Sequence, residues 1–299
     1  MIISSSHMQG SPDQSTNPQI TICVATFNSG VYLDRTLAAI ELQSYPHFRC
    51  LLSDDGSTDN TLEICQSYAR RDSRFILQAH KQRQGWIGNM NRMLEQDLGE
   101  YFLFVSHDDV PRPAFLEKLL HEMLLRPDAS VVYSDVEIVR TDGTSRKIQS
   151  YALPEGTDSI AVRFKFAATE KEADSWYLPY HGLVRANILK FNRRLRRNLA
   201  GEYKADKVWN LGLAISGRMI RLGEPLWEKT DSPNSVSSRW TYTSRTLAAV
   251  QLCCLRFLWS HPAPFKDRLL VSYYLFFGYA RSIAWKVRRY FVRSAPKNG

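Results

Sequence analysis

From Ile20 onward the chain alternates short apolar or β-branched runs with longer amphipathic stretches, which restricts it to parallel strands joined by helices. Ile20 to Ala25 reads as the first strand and Phe48 to Ser53 as the second. Between them, Val31 to Gln43 sets Leu33, Leu37, Ala38 and Ile40 on one helical face and completes a β-α-β unit. The order repeats with a helix over Thr61 to Arg70, a strand at Phe75 to Leu77, a helix over Trp86 to Gln96 and a strand at Tyr101 to Val105. Pro113 and Pro127 bracket a helix over Ala114 to Arg126, and Ser130 to Ser134 is a further strand. After the turn dipeptide Asp142-Gly143 the pattern loosens until a helix over Ala205 to Ser216, a short strand from Arg218 to Leu222, and a loop at Asp231 to Ser235. The expected class is α/β: a doubly wound, mostly parallel sheet with helices on both faces and its ligand at the carboxyl ends of the strands.

Polar residues collect at those ends. Thr26-Phe27-Asn28 follows the first strand, Asp54-Asp55-Gly56-Ser57-Thr58-Asp59 the second, and Ser106-His107-Asp108-Asp109 the fourth. A carboxylate at Asp54 can accept the ring N–H of a uracil, with Thr26 and Phe27 supplying backbone hydrogen bonds and an apolar wall. The same loop also reads as a plain turn, with Asp59 or Asn60 capping the next helix and Glu63 as capping partner. Asp108 and Asp109 are adjacent carboxylates after an apolar strand and call for positive compensation, which a divalent cation supplies. Magnesium or manganese takes one or two carboxylates plus phosphate oxygens. Gly85 and Asn89, in Gly85-Trp86-Ile87-Gly88-Asn89, open a helix whose entry lets backbone approach an anion. That spacing is not G-x-G-x-x-G, which disfavours a dinucleotide.

Val24 to Ser29, Ser53 to Asp59, Ser106 to Asp109 with Pro113, and Gly201-Glu202 through Ala205-Asp206-Lys207-Val208-Trp209 together resemble the family 2 glycosyltransferases with the GT-A fold, over about Gln19 to Trp240. The resemblance implies an inverting transferase using a nucleotide-sugar donor, most simply a UDP-sugar, and a manganese or magnesium ion. It implies that Thr26, Phe27, Asn28, Asp54, Asp55, Gly85, Asn89, Ser106 and His107 border the nucleotide and that Asp108 is the metal ligand. Asp109 falls to support or to the acceptor side. Asp206 becomes the base, placed to take the acceptor hydroxyl's proton. Glu202 is the alternative base, and an aspartate in a first helical turn is equally a macrodipole partner. Tyr180 and His181, in Pro179-Tyr180-His181-Gly182, resemble the acceptor-side segment, although such residues also pack loops. The sequence departs from the D-x-D pattern at Ser106, where the first acidic position is uncharged, and His107 reads as an extra ligand or a polar neighbour. Lys229, with Ser235 and Ser237, reads as a diphosphate cover or as a solvated lysine.

Composition enters where it excludes. Of 299 residues 44% are hydrophobic, which rules out fibrous and disordered classes. Five cysteines without C-x-x-C spacing suggest neither structural zinc nor a disulfide framework, and point to a reducing, cytoplasmic compartment. Residues 1–18 read as a disordered leader, 19–240 as the transferase domain with halves meeting near residue 140, and 241–299 as a helical extension. The net charge is +9, and from His261 to Gly299 eight lysines and arginines face Asp267 alone. Within 265–293 an apolar-aromatic run from Leu269 to Phe277 precedes this basic end. That profile suits contact with an anionic membrane and a lipid-linked or glycan acceptor at its inner face, or else a helical pair packed on the domain. The aromatics are too clustered for a nucleic-acid groove, and Arg193 to Arg197 is a second basic patch. Two rivals share the residues: a sugar-phosphate nucleotidyltransferase and a scaffold with a degenerate transferase domain.

Overall fold

The computed structural model describes residues 18–140, 143–148, 160, 177–231 and 243–277. The leader before residue 18, Ser235, Ser237 and the basic end beyond residue 277 lie outside them. In chain order the elements are β1 (Ile20–Thr26), α1 (Leu33–Glu41), β2 (Phe48–Asp54), α2 (Thr61–Arg71), β3 (Phe75–Ala79), α3 (Gly85–Leu94), β4 (Tyr101–Phe104) and β5 (Val110–Pro111). There follow α4 (Phe115–Leu125), β6 (Ala129–Arg140), β7 (Ser145–Ile148), β8 (Leu183–Arg185), α5 (Ala205–Ser216), β9 (Arg218–Asp231) and α6 (Ser244–Trp259). Short 3-10 turns at Leu178–His181 and Ala186–Lys190 flank β8.

The strands form one sheet in the order β3-β2-β1-β4-β8-β6-β9-β5, with β7 paired to β6. β3, β2, β1 and β4 run parallel, and β8 then enters antiparallel between β4 and β6. The chain steps outward from β1 to β3 and then crosses back to β4 on the other side of β1. Right-handed crossovers therefore put α1 and α2 on one face and α3 on the other. The switch between β1 and β4 opens a crevice at their carboxyl ends, where Thr26 to Asn28 and Ser106 to Asp109 emerge.

Leu33, Leu37 and Ile40 of α1 are fully buried, each contributing roughly 1.5–3 kcal/mol of apolar transfer. The fourth inward position of α1 is Thr36 rather than the expected Ala38, because the Thr36 hydroxyl donates to the His107 carbonyl at 2.9 Å. β9 extends nine residues beyond the Leu222 end expected from the breaker Gly223. The register with β6 slips between Leu222 and Trp227, so Gly223 sits in an irregularity and the strand resumes at Trp227. This longer β9 carries Lys229 and Thr230 to the end of the sheet.

At Gly182 a Cβ would lie 2.6 Å from both the Val132 carbonyl oxygen and Val131 Cγ2. The turn bearing Tyr180 and His181 can press onto β6 only because no side chain intervenes. Gly182→Ala is expected to lower stability by about 1–3 kcal/mol, read as a lower urea midpoint at unchanged slope.

Candidate active site

Thr26 pairs in register with Asp54, so the first two loops leave the sheet side by side. The buried Asp54 carboxylate accepts from the Ser57 backbone N–H at 3.0 Å, the Ser57 hydroxyl at 2.5 Å and the Thr26 hydroxyl at 3.2 Å. Asn28, in the left-handed region at φ 48°, donates its N–H to Ser57 Oγ and accepts the Thr58 N–H on Oδ1. Phe27 is half-buried, with the Arg83 guanidinium 3.8 Å above its ring. The helix-capping expectation holds for Asp59 and not for Asn60. Asn60 makes no side-chain cap, and Asp59 accepts the Thr61 and Gly30 N–H groups instead.

Asp55 turns the other way. Its two oxygens accept the Gln84 and Gly85 N–H groups, both at 2.8 Å, and Arg92 stands 3.8 Å away. Asn89 donates to the Ser53 carbonyl at 2.7 Å and accepts the Ser53 hydroxyl at 2.5 Å, tying α3 to β2. Ser53 Oγ also lies 3.2 Å from His80 Nε2. Gly85 has φ +78°, and a Cβ there would come 2.9 Å from Glu202 Oε1. Glu202 accepts the Ile87 N–H at 3.1 Å and pairs with Arg197, so it caps α3 from across the domain. The loops bearing Asp55 and Glu202 are thus bonded to each other through the first turn of α3.

The Ser106 to Asp109 loop is clamped at its backbone. Thr36 holds the His107 carbonyl, and Thr230 donates to the Asp108 carbonyl at 2.5 Å while accepting from Arg35. β5 pairs antiparallel with β9, setting Val110 opposite Glu228, and this brings Lys229 alongside the acidic pair. Asp109 is 1% exposed and its oxygens make no hydrogen bond of good geometry among the described residues. Burial pushes its pKa up to about 7, with Asp108 adding and Lys229, the Thr230 N–H and the Ser106 hydroxyl opposing. Burial works against the Lys229 ammonium, but Asp109, Asp108 and Asp206 together hold its pKa well above the ordinary lysine value. Burial also lowers the His107 imidazole, against the pull of Asp108.

Asp206 lies in the first turn of α5, 8% exposed, after Lys204 at φ 48°. Burial raises its pKa to about 7, opposed by Lys204, the Lys207 N–H and Lys229. Around it, Tyr180 stacks on Phe104 at 5.0 Å, and Trp209 packs against Phe104 at 5.4 Å. His181 lies over Trp227 at 4.5 Å, and burial with Lys229 drives its pKa down to about 3, so the imidazole is neutral at pH 7. Asp108, Asp109 and Asp206 thus all lie within electrostatic reach of Lys229, Tyr180 within that of Asp206 and His181 within that of Lys229. Thr26, Phe27, Asn28 and Asp54 line the same sheet edge, Asp55 and Glu202 serve the α3 turn, and Asn89 braces β2 from beneath.

No three His, Cys, Asp or Glu side chains form a metal cage among the described residues. A hard cation sharing phosphate oxygens needs only one or two protein carboxylates, which Asp108 with Asp109 behind it supplies. The sequence offers Lys229 as a diphosphate cover or a solvated lysine, and carries no local signal for Thr36, Thr230, Arg35, Arg83 or His80. The β5–β9 pairing brings in Lys229 and Thr230, and the packing of α1 on the loop brings in Thr36 and Arg35; no local motif links residue 109 to residue 229.

Asp55→Asn replaces one acceptor with a second donor facing an N–H, and is expected to cost about 1.5–3 kcal/mol in urea unfolding. A change within about 0.5 kcal/mol would mean that the α3 turn does not need this carboxylate.

The Glycosyl transferase family 2 model matches residues 21–188. Among curated relatives, glycosyltransferase GlyG of Streptococcus pneumoniae is 32% identical over 38% of this chain and 37% of its own length. GalNAc(5)-diNAcBac-PP-undecaprenol beta-1,3-glucosyltransferase of Campylobacter jejuni is 35% identical over 31% of this chain and 30% of its own. The chain thus spans well under half of either relative's length. Among solved structures, S. aureus TarS 1-349 in complex with UDP-GlcNAc superimposes with a TM-score of 0.67 at 19% identity, covering 86% of this chain and 71% of that one. Mannosyltransferase PcManGT from Pyrobaculum calidifontis, in complex with GDP-Man and Mn2+, gives 0.60 at 16% identity, covering 94% and 78%. These likenesses establish the fold as GT-A, and with the family model matching more than half of its residues the chain belongs to glycosyl transferase family 2.

Proposed function

We propose that the chain moves a sugar from a nucleotide-sugar, most simply a UDP-sugar, to an acceptor hydroxyl with inversion at the anomeric carbon. The observation that carries this reading is the meeting of the β1, β2 and β4 carboxyl ends, with Asp54 and Asp108 on them, at the switch point of the sheet, where the β5–β9 pairing and the Thr230 bond to the Asp108 carbonyl bring in the Lys229 segment. In it, Thr26, Phe27 and Asp54 border the base, and the Phe27 ring under Arg83 gives that subsite a flat wall. Gly85 and the turn held by Asp55 approach the diphosphate side. Asp108 would hold a manganese or magnesium ion, whose contribution is to neutralise charge on the departing diphosphate.

Asp206 is the base in this scheme. A carboxylate poised near pH 7 takes a hydroxyl proton more readily than one at the ordinary value, and burial sets Asp206 there. Lys229 keeps the acidic cluster from repelling an incoming polyphosphate. The neutral His181 on Trp227 offers an apolar, hydrogen-bonding platform and no competing charge. Glu202 is already committed to capping α3, which favours Asp206 over it as base. The Campylobacter relative's name gives it an undecaprenol-linked acceptor. A lipid-linked or glycan acceptor in surface-glycan assembly is proposed here on that analogy.

Asp206→Asn is expected to lower transfer by about 10²–10⁴-fold while UDP affinity stays near the parent's. In the parent, kcat/KM is expected to fall about tenfold per pH unit on the acid side of the pKa of about 7, because the protonated carboxyl cannot accept the proton. Near-parent turnover of Asp206→Asn, or an acid limb unchanged by it, assigns the base elsewhere.

A further inference from the structure

α6 ends at Trp259, and after a turn the chain forms a second helix over residues 265–277. Its inner side is anchored: Val271 and Leu275 are buried in the core, Trp259 Nε1 donates to Ser272 Oγ at 3.2 Å, and Arg268 donates to the His261 carbonyl at 2.6 Å. His261 in turn lies 2.6 Å from the Phe191 carbonyl, which fixes the pair to the domain. A helix held this way ordinarily turns charge outward.

Here the outward arc is apolar. Phe265, Leu269, Leu270, Tyr273, Phe276 and Phe277 fall within about 140° of one another around the helix axis, at roughly 100° per residue. All six are exposed, Phe265 at 66% and Phe276 at 69%. Lys266 is the one exposed charge among them. No described helix is long and apolar enough to cross a membrane, so this face is not part of a described span.

Charge identifies the occupant. The chain's formal net charge is +9, and from Ser244 to Gly299 it carries ten lysines and arginines against Asp267 alone, so the rest of the molecule is neutral. Beyond residue 277 the sequence continues with Arg281, Lys286, Arg288 and Arg289, with Trp285 and Tyr290 among them. A second copy would bring like charges together, whereas an anionic lipid surface accepts aromatic side chains at its headgroup boundary and attracts the cations.

We propose that the outward aromatic face of residues 265–277 docks on an anionic bilayer surface, towards which the chain's net positive charge draws it. This does not depend on the transferase reading, since a chain unable to bind a nucleotide would still bind vesicles. The test is co-sedimentation of the full chain with vesicles of phosphatidylcholine alone or mixed with phosphatidylglycerol. The full chain is expected to sediment with the mixed vesicles, weakly with phosphatidylcholine, and less as salt rises. Phe265→Ser combined with Phe276→Ser leaves the inner side intact, and its fold is checked by an unchanged urea midpoint. It is expected to lower the partition coefficient roughly tenfold or more. Parent-like partitioning of that variant, failure of the parent to bind mixed vesicles, or a parent dimer that the variant loses would each overturn the proposal.

Discussion

The site rests on the electrostatic balance between Lys229 and the acidic residues whose fields reach it, Asp109, Asp108 and Asp206. Buried carboxylates without compensation cost several kcal/mol each, and Asp109 is buried with no hydrogen bond of good geometry. Lys229 supplies that compensation to Asp109, Asp108 and Asp206 at once. It does so because β9 runs past the irregularity at Gly223 to Pro225 and pairs with the two residues of β5. The shortest strand of the sheet is therefore the one that locks the acidic loop to its counter-charge. The Thr36 and Thr230 hydroxyls hold the same loop by its carbonyls, leaving the Asp108 carboxylate available for a ligand.

A second constraint joins the halves of the domain. Asp55 at the end of β2 fixes the Gln84-Gly85 turn, and Glu202 caps the same turn from the loop before α5. Gly85 is required there both by its positive φ and by the closeness of Glu202. Asp206, four residues after Glu202, is thereby positioned relative to the strand ends that carry Asp54 and Asp108. Tyr180 and Trp209, both packed on Phe104, fill the space between these struts. The geometry around Asp206 is thus set by bonds made well away from it.

Much of this was legible in the sequence, and the reasons are local. The β-α-β alternation through α4 follows from hydrophobic period and turn residues, and α5 was bounded by Gly217. The acidic clusters at Asp54-Asp55 and Asp108-Asp109 announced themselves as polar runs after apolar strands. What stayed hidden depends on pairing. β9 looked short because Gly223 is a breaker unless a register slip absorbs it, as it does here. β5 is too short to carry a pattern, so nothing announced that Lys229 would meet residue 109. The separate tasks of Asp54 and Asp55 were also invisible, since adjacent residues of one loop turn to opposite sides. Asn89 was expected beside the nucleotide on the strength of its motif, and the structure spends its amide on Ser53.

The proposed function requires the carboxyl edge of this sheet to hold a nucleoside diphosphate through a cation on Asp108. Titration calorimetry of UDP into the chain, with manganese and then with a chelator in its place, tests it most directly. The expected result is binding that requires manganese in the parent and is lost in Asp108→Asn, whose urea midpoint stays near the parent's. Binding of equal strength in chelator, or no heat at all with manganese present, would contradict it.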